Sequence, residues 1–143
     1  MHAIKSKIVG YKVINGAIAT VTEPVGLHEG MSRPEKLQGT TYKLSPVGGS
    51  SVYLTINNVE VGGKQYPYEI FLATKDVEHQ AWMAAITRLV SAVFRKGGEV
   101  KFIAEELKMI HDPKGGYFVK GHGYVPSVIA HIGLIIEQHL EKL

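Results

Sequence analysis

The sequence contains no cysteine. That excludes disulfides, zinc–thiolate sites, iron–sulfur clusters and any thiol or thiyl chemistry carried by this chain. Long apolar runs are missing too. None approaches the roughly 18 residues a membrane-spanning helix needs. The first fourteen residues, MHAIKSKIVGYKVI, lack an apolar core followed by a small-residue cleavage site. Neither a membrane span nor a signal peptide is expected, and the cytoplasm is the default compartment. Concentrated charge is also absent. The net charge is +3 and the pI about 9.0, but the lysines and arginines are scattered from Lys5 to Lys120. Neutralising a phosphate backbone requires a clustered basic stripe, so nucleic-acid binding is not expected. There are no internal repeats and no low-complexity tracts.

What is present suits one globular domain spanning residues 1–143. At 143 residues and 45% hydrophobic content, such a chain buries roughly 68–70% of the surface its unfolded form exposes, enough to stand without metals. Asn15-Gly16 separates two β-rich runs, residues 8–14 and 17–22. Both central positions of a two-residue type I′ turn need positive φ, which this dipeptide supplies. Residues 1–24 therefore read as a hairpin. Residues 25–39, broken by Gly26, Gly30 and Pro34, read as a long loop of the kind that often meets a partner. From residue 40 onward the pattern is that of an α+β core. Strands are expected over 40–44, 52–56 and 67–73, separated by Ser-Pro-Val-Gly-Gly and by Gly62-Gly63, with Leu54, Ile56, Ile70 and Leu72 on an apolar face. Short reversals imply antiparallel pairing.

The period then changes from 2 to 3.6. A helix is expected over 77–95, N-capped by Thr74 or Asp76 and stopped by Gly97-Gly98. Its apolar face is read as Trp82, Ile86, Leu89, Val93 and Phe94. Further helices are expected over 99–110 and from Pro126, the last with Ile132, Ile135 and Ile136 in its stripe. The fold class is α+β: an antiparallel meander of about five strands, hairpin included, covered on one face by three helices.

No catalytic constellation emerges. The spacing offers no His-Glu-x-x-His pattern, and His131 and His139 lie two turns apart without a third ligand, so solvated or capping histidines are expected rather than a metal site. Glu105, Glu106 and Glu137 read as solvated faces. Ser32, Ser50 and Ser127 have no histidine–carboxylate companion by spacing. The glycine-rich stretch DPKGGYFVKGHGY (112–124) precedes a helix, and exposed amides there could hold an anion. It lacks the Gly-x-x-x-x-Gly-Lys-Ser/Thr pattern, which leaves a connecting loop as the plainer reading. The candidate anion- or partner-binding residues are Arg33, Lys43, Lys114, Gly115, Gly116 and Lys120.

Six segments carry a family resemblance: RPEKLQGTTYKL (33–44), VYLTINNV (52–59), PYEIFLATK (67–75), AITRLVSAVFRKGG (85–98), IAEELKMIHDPKGGYF (103–118) and YVPSVIAHIGLIIEQHL (124–140). In this order they resemble the TSCPD-type C-terminal domain of adenosylcobalamin-dependent (class II) ribonucleotide reductases, which also occurs as a separate small polypeptide. The N-terminal hairpin lies outside the resemblance. Many members open the last helix with Thr-Ser-Cys-Pro-Asp. Here Gly123, Tyr124, Val125, Pro126 and Ser127 stand at those positions, so Val125 replaces the cysteine. No Cys-Pro-x-Cys tail is present either. The resemblance thus implies association with a large class II reductase polypeptide that itself carries adenosylcobalamin. It implies an accessory role in deoxyribonucleotide synthesis for a chain with no cofactor of its own. The loops at 25–39 and 114–123 are the expected contact surfaces. Two other readings stay open: a free-standing nucleotide or nucleic-acid binding module, and a homodimer formed through the hairpin.

Overall fold

A computed structural model describes residues 31–143 throughout and, before them, the backbone of two strands. These are β1 (Ser6–Ile14) and β2 (Ala17–Pro24), antiparallel, with Ile14 opposite Ala17 and Ser6 opposite Pro24. The expected Asn15-Gly16 turn and residues 25–30 of the expected loop lie outside the described residues. The hairpin is a two-stranded sheet of its own.

The central sheet runs β3 (Gln38–Leu44), β4 (Val52–Val61) and β5 (Lys64–Thr74) in that order, antiparallel throughout. Gly62 and Gly63 turn the chain between β4 and β5, both at positive φ (60° and 78°), as a tight hairpin turn requires. Ile56 faces Thr40 on one side and Ile70 on the other; Leu54 likewise lies between Tyr42 and Leu72. Period-2 alternation puts Leu44, Val52, Leu54, Ile56 and Ile70 on one buried face, while Tyr53 and Phe71 stay exposed.

Asp76 caps a 3-10 turn at Val77–His79 by accepting from the Glu78 amide, and α1 (Gln80–Lys96) continues from it. Gly97, at φ 71°, ends the helix. The buried stripe of α1 is the expected one only in part: Phe94 is buried and Trp82, Ile86 and Val93 pack against the core, but Leu89 does not. Leu89 is 69% exposed, and Trp82 and Ile86 are only half-buried; Met83, Val90, Ser91 and Phe94 are the buried residues. The cause is Ser91. Its hydroxyl accepts from the backbone N–H of Ile70 (3.0 Å) and donates to the carbonyl of the same residue (3.3 Å). A polar residue that should mark a solvated face turns inward to satisfy the border strand β5, and Leu89 is rotated outward with it.

The remaining elements are α2 (Lys101–Lys108), β6 (Tyr117–Val119), β7 (Gly123–Val125) and α3 (Val128–Glu141). The two short strands form an antiparallel ribbon where a glycine-rich loop was expected. Ser127, not Pro126, begins α3: its hydroxyl accepts from the Ala130 amide (2.9 Å) and donates to the Ile110 carbonyl (2.6 Å), so it joins the end of α2 to the start of α3. Gly133 allows the two helices to touch, since a Cβ there would lie 2.8 Å from the Ala104 carbonyl oxygen. Glu137 is not on a solvated face; it pairs with Lys108 at 2.7 Å across the same contact. Phe94, Leu44, Leu54, Ile56, Ile70, Ile132 and Ile136 are the largest fully buried side chains, so the core lies between the sheet's apolar face and the helices.

Candidate functional site

Three connections meet at a cleft of about 610 Å³: the 46–50 turn, the capped start of α1, and residues 112–117 before the ribbon. Its floor is apolar, with Val52, Met83, Tyr117 and Val128; Trp82, Asp76, His79, Asp112 and Lys114 stand around it. Asp76 has two tasks. One carboxylate oxygen accepts from the Glu78 amide and the other meets Nδ1 of His79 at 2.5 Å. Because a carboxylate only accepts, His79 carries a proton on Nδ1. The His79 ring stands edge-on to Trp82, with centroids 5.6 Å apart.

The first amides of the glycine loop already have partners within the chain. Lys114 N–H donates to the Asp112 carboxylate (2.8 Å), Gly115 N–H to the Asp112 carbonyl (2.8 Å), and Gly116 N–H to the Tyr124 hydroxyl (2.9 Å). Three successive amides that might cradle an anion are all engaged within the chain. Gly116 is required for a steric reason, because a Cβ would fall 1.8 Å from the Val125 carbonyl oxygen.

Beyond the cleft, the ribbon holds two aromatic rings in solvent. Phe118 is 80% exposed and Tyr124 54%, stacked edge-on with centroids 5.6 Å apart. The opposite side of the ribbon is anchored. Tyr117 and Val125 are buried against Leu134, and the Tyr117 hydroxyl meets His131 Nδ1 at 2.7 Å. Burial pushes the Tyr117 phenol up to about 12. Burial also lowers the His131 pKa, with the nearby His122 adding to it. At the far end of α3, His139 is lowered by burial and then by Lys142. It lies between the Tyr42 hydroxyl (2.8 Å to Nδ1) and Asn58 Oδ1 (2.9 Å to Nε2). With Asn58 Oδ1 as acceptor, the proton sits on Nε2 and Tyr42 donates to Nδ1. These two histidines are therefore neither solvated nor capping. They are buried and hydrogen-bonded, and they tie α3 to the ribbon and to the sheet.

The candidate residues read from the sequence do not form one site. Lys114, Gly115 and Gly116 line the cleft. Lys120 occupies the ribbon turn and Lys43 lies exposed on β3. Arg33 is paired elsewhere: its Nε and Nη2 reach the two carboxylate oxygens of Glu69 at 3.0 and 2.7 Å, and Asn57 donates to the same carboxylate at 2.9 Å. Hydrogen bonding from Arg33, against the opposing effect of burial, holds the Glu69 carboxyl below its usual value. The Asp76–His79–Trp82 group and the Phe118–Tyr124 pair were not singled out from the sequence. The alternation Tyr117-Phe118-Val119 and Gly123-Tyr124-Val125 was the available signal for the pair, in strands too short to stand out.

Among the described residues, no group of three histidine, aspartate or glutamate side chains could hold a metal ion. No described helix is long and apolar enough to cross a membrane. A family model described as TSCPD domain matches residues 20–140. No curated protein and no solved structure matches the chain.

Proposed function

The chain belongs to the TSCPD domain family, and from that premise we propose that it is a cytoplasmic, non-catalytic accessory subunit of an adenosylcobalamin-dependent ribonucleoside-diphosphate reductase. The residues do not fit reductase chemistry. A cysteine-free chain has no thiol from which to form a thiyl radical and no dithiol relay, so the reaction and its adenosylcobalamin belong to the large partner polypeptide. What this chain contributes is a surface. The observation that carries the reading is the ribbon, which keeps Phe118 80% exposed on an anchored base. Exposed aromatics held rigidly are the type of residue that dominates binding energy at protein interfaces.

Nucleotide binding is less well supported. The amides of residues 114–116 are engaged internally and Arg33 is bound to Glu69.

Titration of a large class II reductase polypeptide with this chain tests the proposal. Binding at micromolar concentration or tighter is expected, with more deoxynucleotide formed by the mixture than by the large chain alone and none by this chain alone. Phe118→Ala, which removes no internal hydrogen bond, should weaken binding about tenfold or more. Absence of binding at about 100 μM would remove the accessory role. Equal binding by Phe118→Ala would show that the docking surface lies elsewhere.

A further inference from the structure

The central sheet has two borders, and the chain treats them differently. The β5 border is closed. α1 runs along it, and the Ser91 hydroxyl, 5% exposed, occupies both the N–H and the carbonyl of Ile70. A border strand whose backbone groups are taken up by a helix cannot accept another strand at that point.

The β3 border is open. β3 pairs with β4 on one side, and no strand pairs with its other side among the described residues. Gln38, Gly39, Thr40, Thr41 and Lys43 are all exposed. Thr40 is informative because it shares the face of Ile56 and Ile70, which are fully buried. The helical layer reaches the Tyr42–Leu44 end of β3, where α3 meets Tyr42, but leaves the strand uncovered at Thr40. The strand has seven residues, no proline and a central Thr-Thr-Tyr of high strand propensity.

We infer that β3 pairs antiparallel with β3 of a second copy of this chain, about a two-fold axis through Thr41, extending the sheet to six strands. Self-pairing is favoured over a foreign strand by what the register places opposite what. Lys43 is the only charge in β3, and lysine at a border ordinarily discourages pairing. About Thr41, each Lys43 falls opposite Gly39 of the other copy rather than opposite a second lysine. Gly39 has no side chain to obstruct the lysine stem, and it must stay glycine for a separate reason: a Cβ would lie 2.5 Å from the Ile56 carbonyl oxygen. Thr40 falls opposite Tyr42, a β-branched and aromatic pairing of the kind that stabilises strands. Thr41, on the axis, already meets the Thr55 hydroxyl at 2.8 Å, so a row of threonine hydroxyls would continue across the seam. The route is distinct from a dimer through the N-terminal hairpin, and it does not depend on the reductase reading.

The absence of cysteine makes the register directly measurable, since any introduced thiol is the only one in the chain. Thr41→Cys places two cysteines directly opposite, with Cα atoms roughly 4.5–5.5 Å apart, within the range of a disulfide. Lys43→Cys places its two copies about four residue steps apart, on the order of 13 Å along the strand, which is out of reach. Under mild oxidation, Thr41→Cys should run as a covalent dimer on a non-reducing gel and Lys43→Cys as a monomer. Light scattering on the unmodified chain at tens of micromolar should give twice the chain mass. Thr41→Lys, an exposed substitution that sets like charges on the axis, should halve that mass with an unchanged far-ultraviolet spectrum. A monomeric unmodified chain at about 100 μM would overturn the inference. So would crosslinking of Lys43→Cys as fast as Thr41→Cys, or a dimer indifferent to Thr41→Lys.

Discussion

Acidifying the protein from pH 8 to pH 5 should weaken it with a slope set by His131 and His139. Both imidazoles are buried, at 8% and 4% exposure, and burial holds both below the usual histidine value. A histidine lowered in this way takes up a proton on unfolding. Its contribution to stability is therefore intact above about pH 6.5 and is lost progressively as the pH falls below that value. One proton per histidine limits the slope to about 1.4 kcal/mol per pH unit, or roughly 2.7 for the pair. The loss below about pH 6.5 is bounded by that slope and is to be set against the roughly 5–15 kcal/mol typical of a domain. Urea midpoints at half-unit steps, followed through the single tryptophan, Trp82, and by circular dichroism, would trace the slope. His139→Gln retains an amide donor for Asn58, and His131→Gln retains an acceptor for Tyr117. Each should flatten the profile between pH 6.5 and 5 by about one proton, whatever its stability at pH 8. A slope unchanged in both variants would refute the reasoning.

Three further outcomes follow from the packing. Phe94→Ala, at a fully buried site, should cost about 3–5 kcal/mol in chemical denaturation, whereas Leu89→Ala should change stability by less than about 0.5 kcal/mol; the reverse order would mean α1 presents its other face. Ser91→Ala should cost about 1–3 kcal/mol and speed amide exchange at Ile70, whose N–H loses its partner. Glu69→Gln should flatten the acid limb below about pH 4.3 while leaving the histidine limb alone, because a lowered carboxyl contributes stability above its ordinary value and loses it as the pH falls; an unchanged acid limb would show that Arg33 does not stabilise the carboxylate.

The strands of the central sheet were legible because local chemistry determines them. Gly62-Gly63 makes its reversal wherever the rest of the chain lies, and alternation assigns Leu54, Ile56 and Ile70 to one face. The extent of α1 was legible for the same reason, through Asp76 at its start and Gly97 at its end. Its rotation was not. α1 is apolar around much of its circumference, so periodicity alone could not choose between the stripe through Leu89 and the stripe through Val90. A hydroxyl–backbone bond to residue 70 decides the matter, and no pattern within the helix records it. The histidines were misread for a related reason. His139 follows Ile135 and Ile136 on the stripe of α3, a usable signal, but its partners at 42 and 58 lie far away in sequence. Of the candidate site, the glycine loop was visible as composition. The engagement of its amides by Asp112 and Tyr124 depends on the ribbon geometry.

The His139 junction also has a consequence for the order in which the chain can fold. It joins residues separated by 97 and 81 positions, whereas the β3–β4–β5 pairings are between neighbours in sequence. Neighbouring strands can zip early, but closing a loop of that length becomes favourable only once packing compensates the lost entropy. Ile132 and Ile136, which fill the core beneath the sheet, arrive on the same late helix. On the ribosome, the sheet and α1 would emerge first and could pack on each other, but the apolar surface that Ile132 and Ile136 cover would stay open until α3 had emerged. Completion of the core is then a step taken after most of the chain is synthesised, and the interval before it is when the nascent protein is most exposed to aggregation.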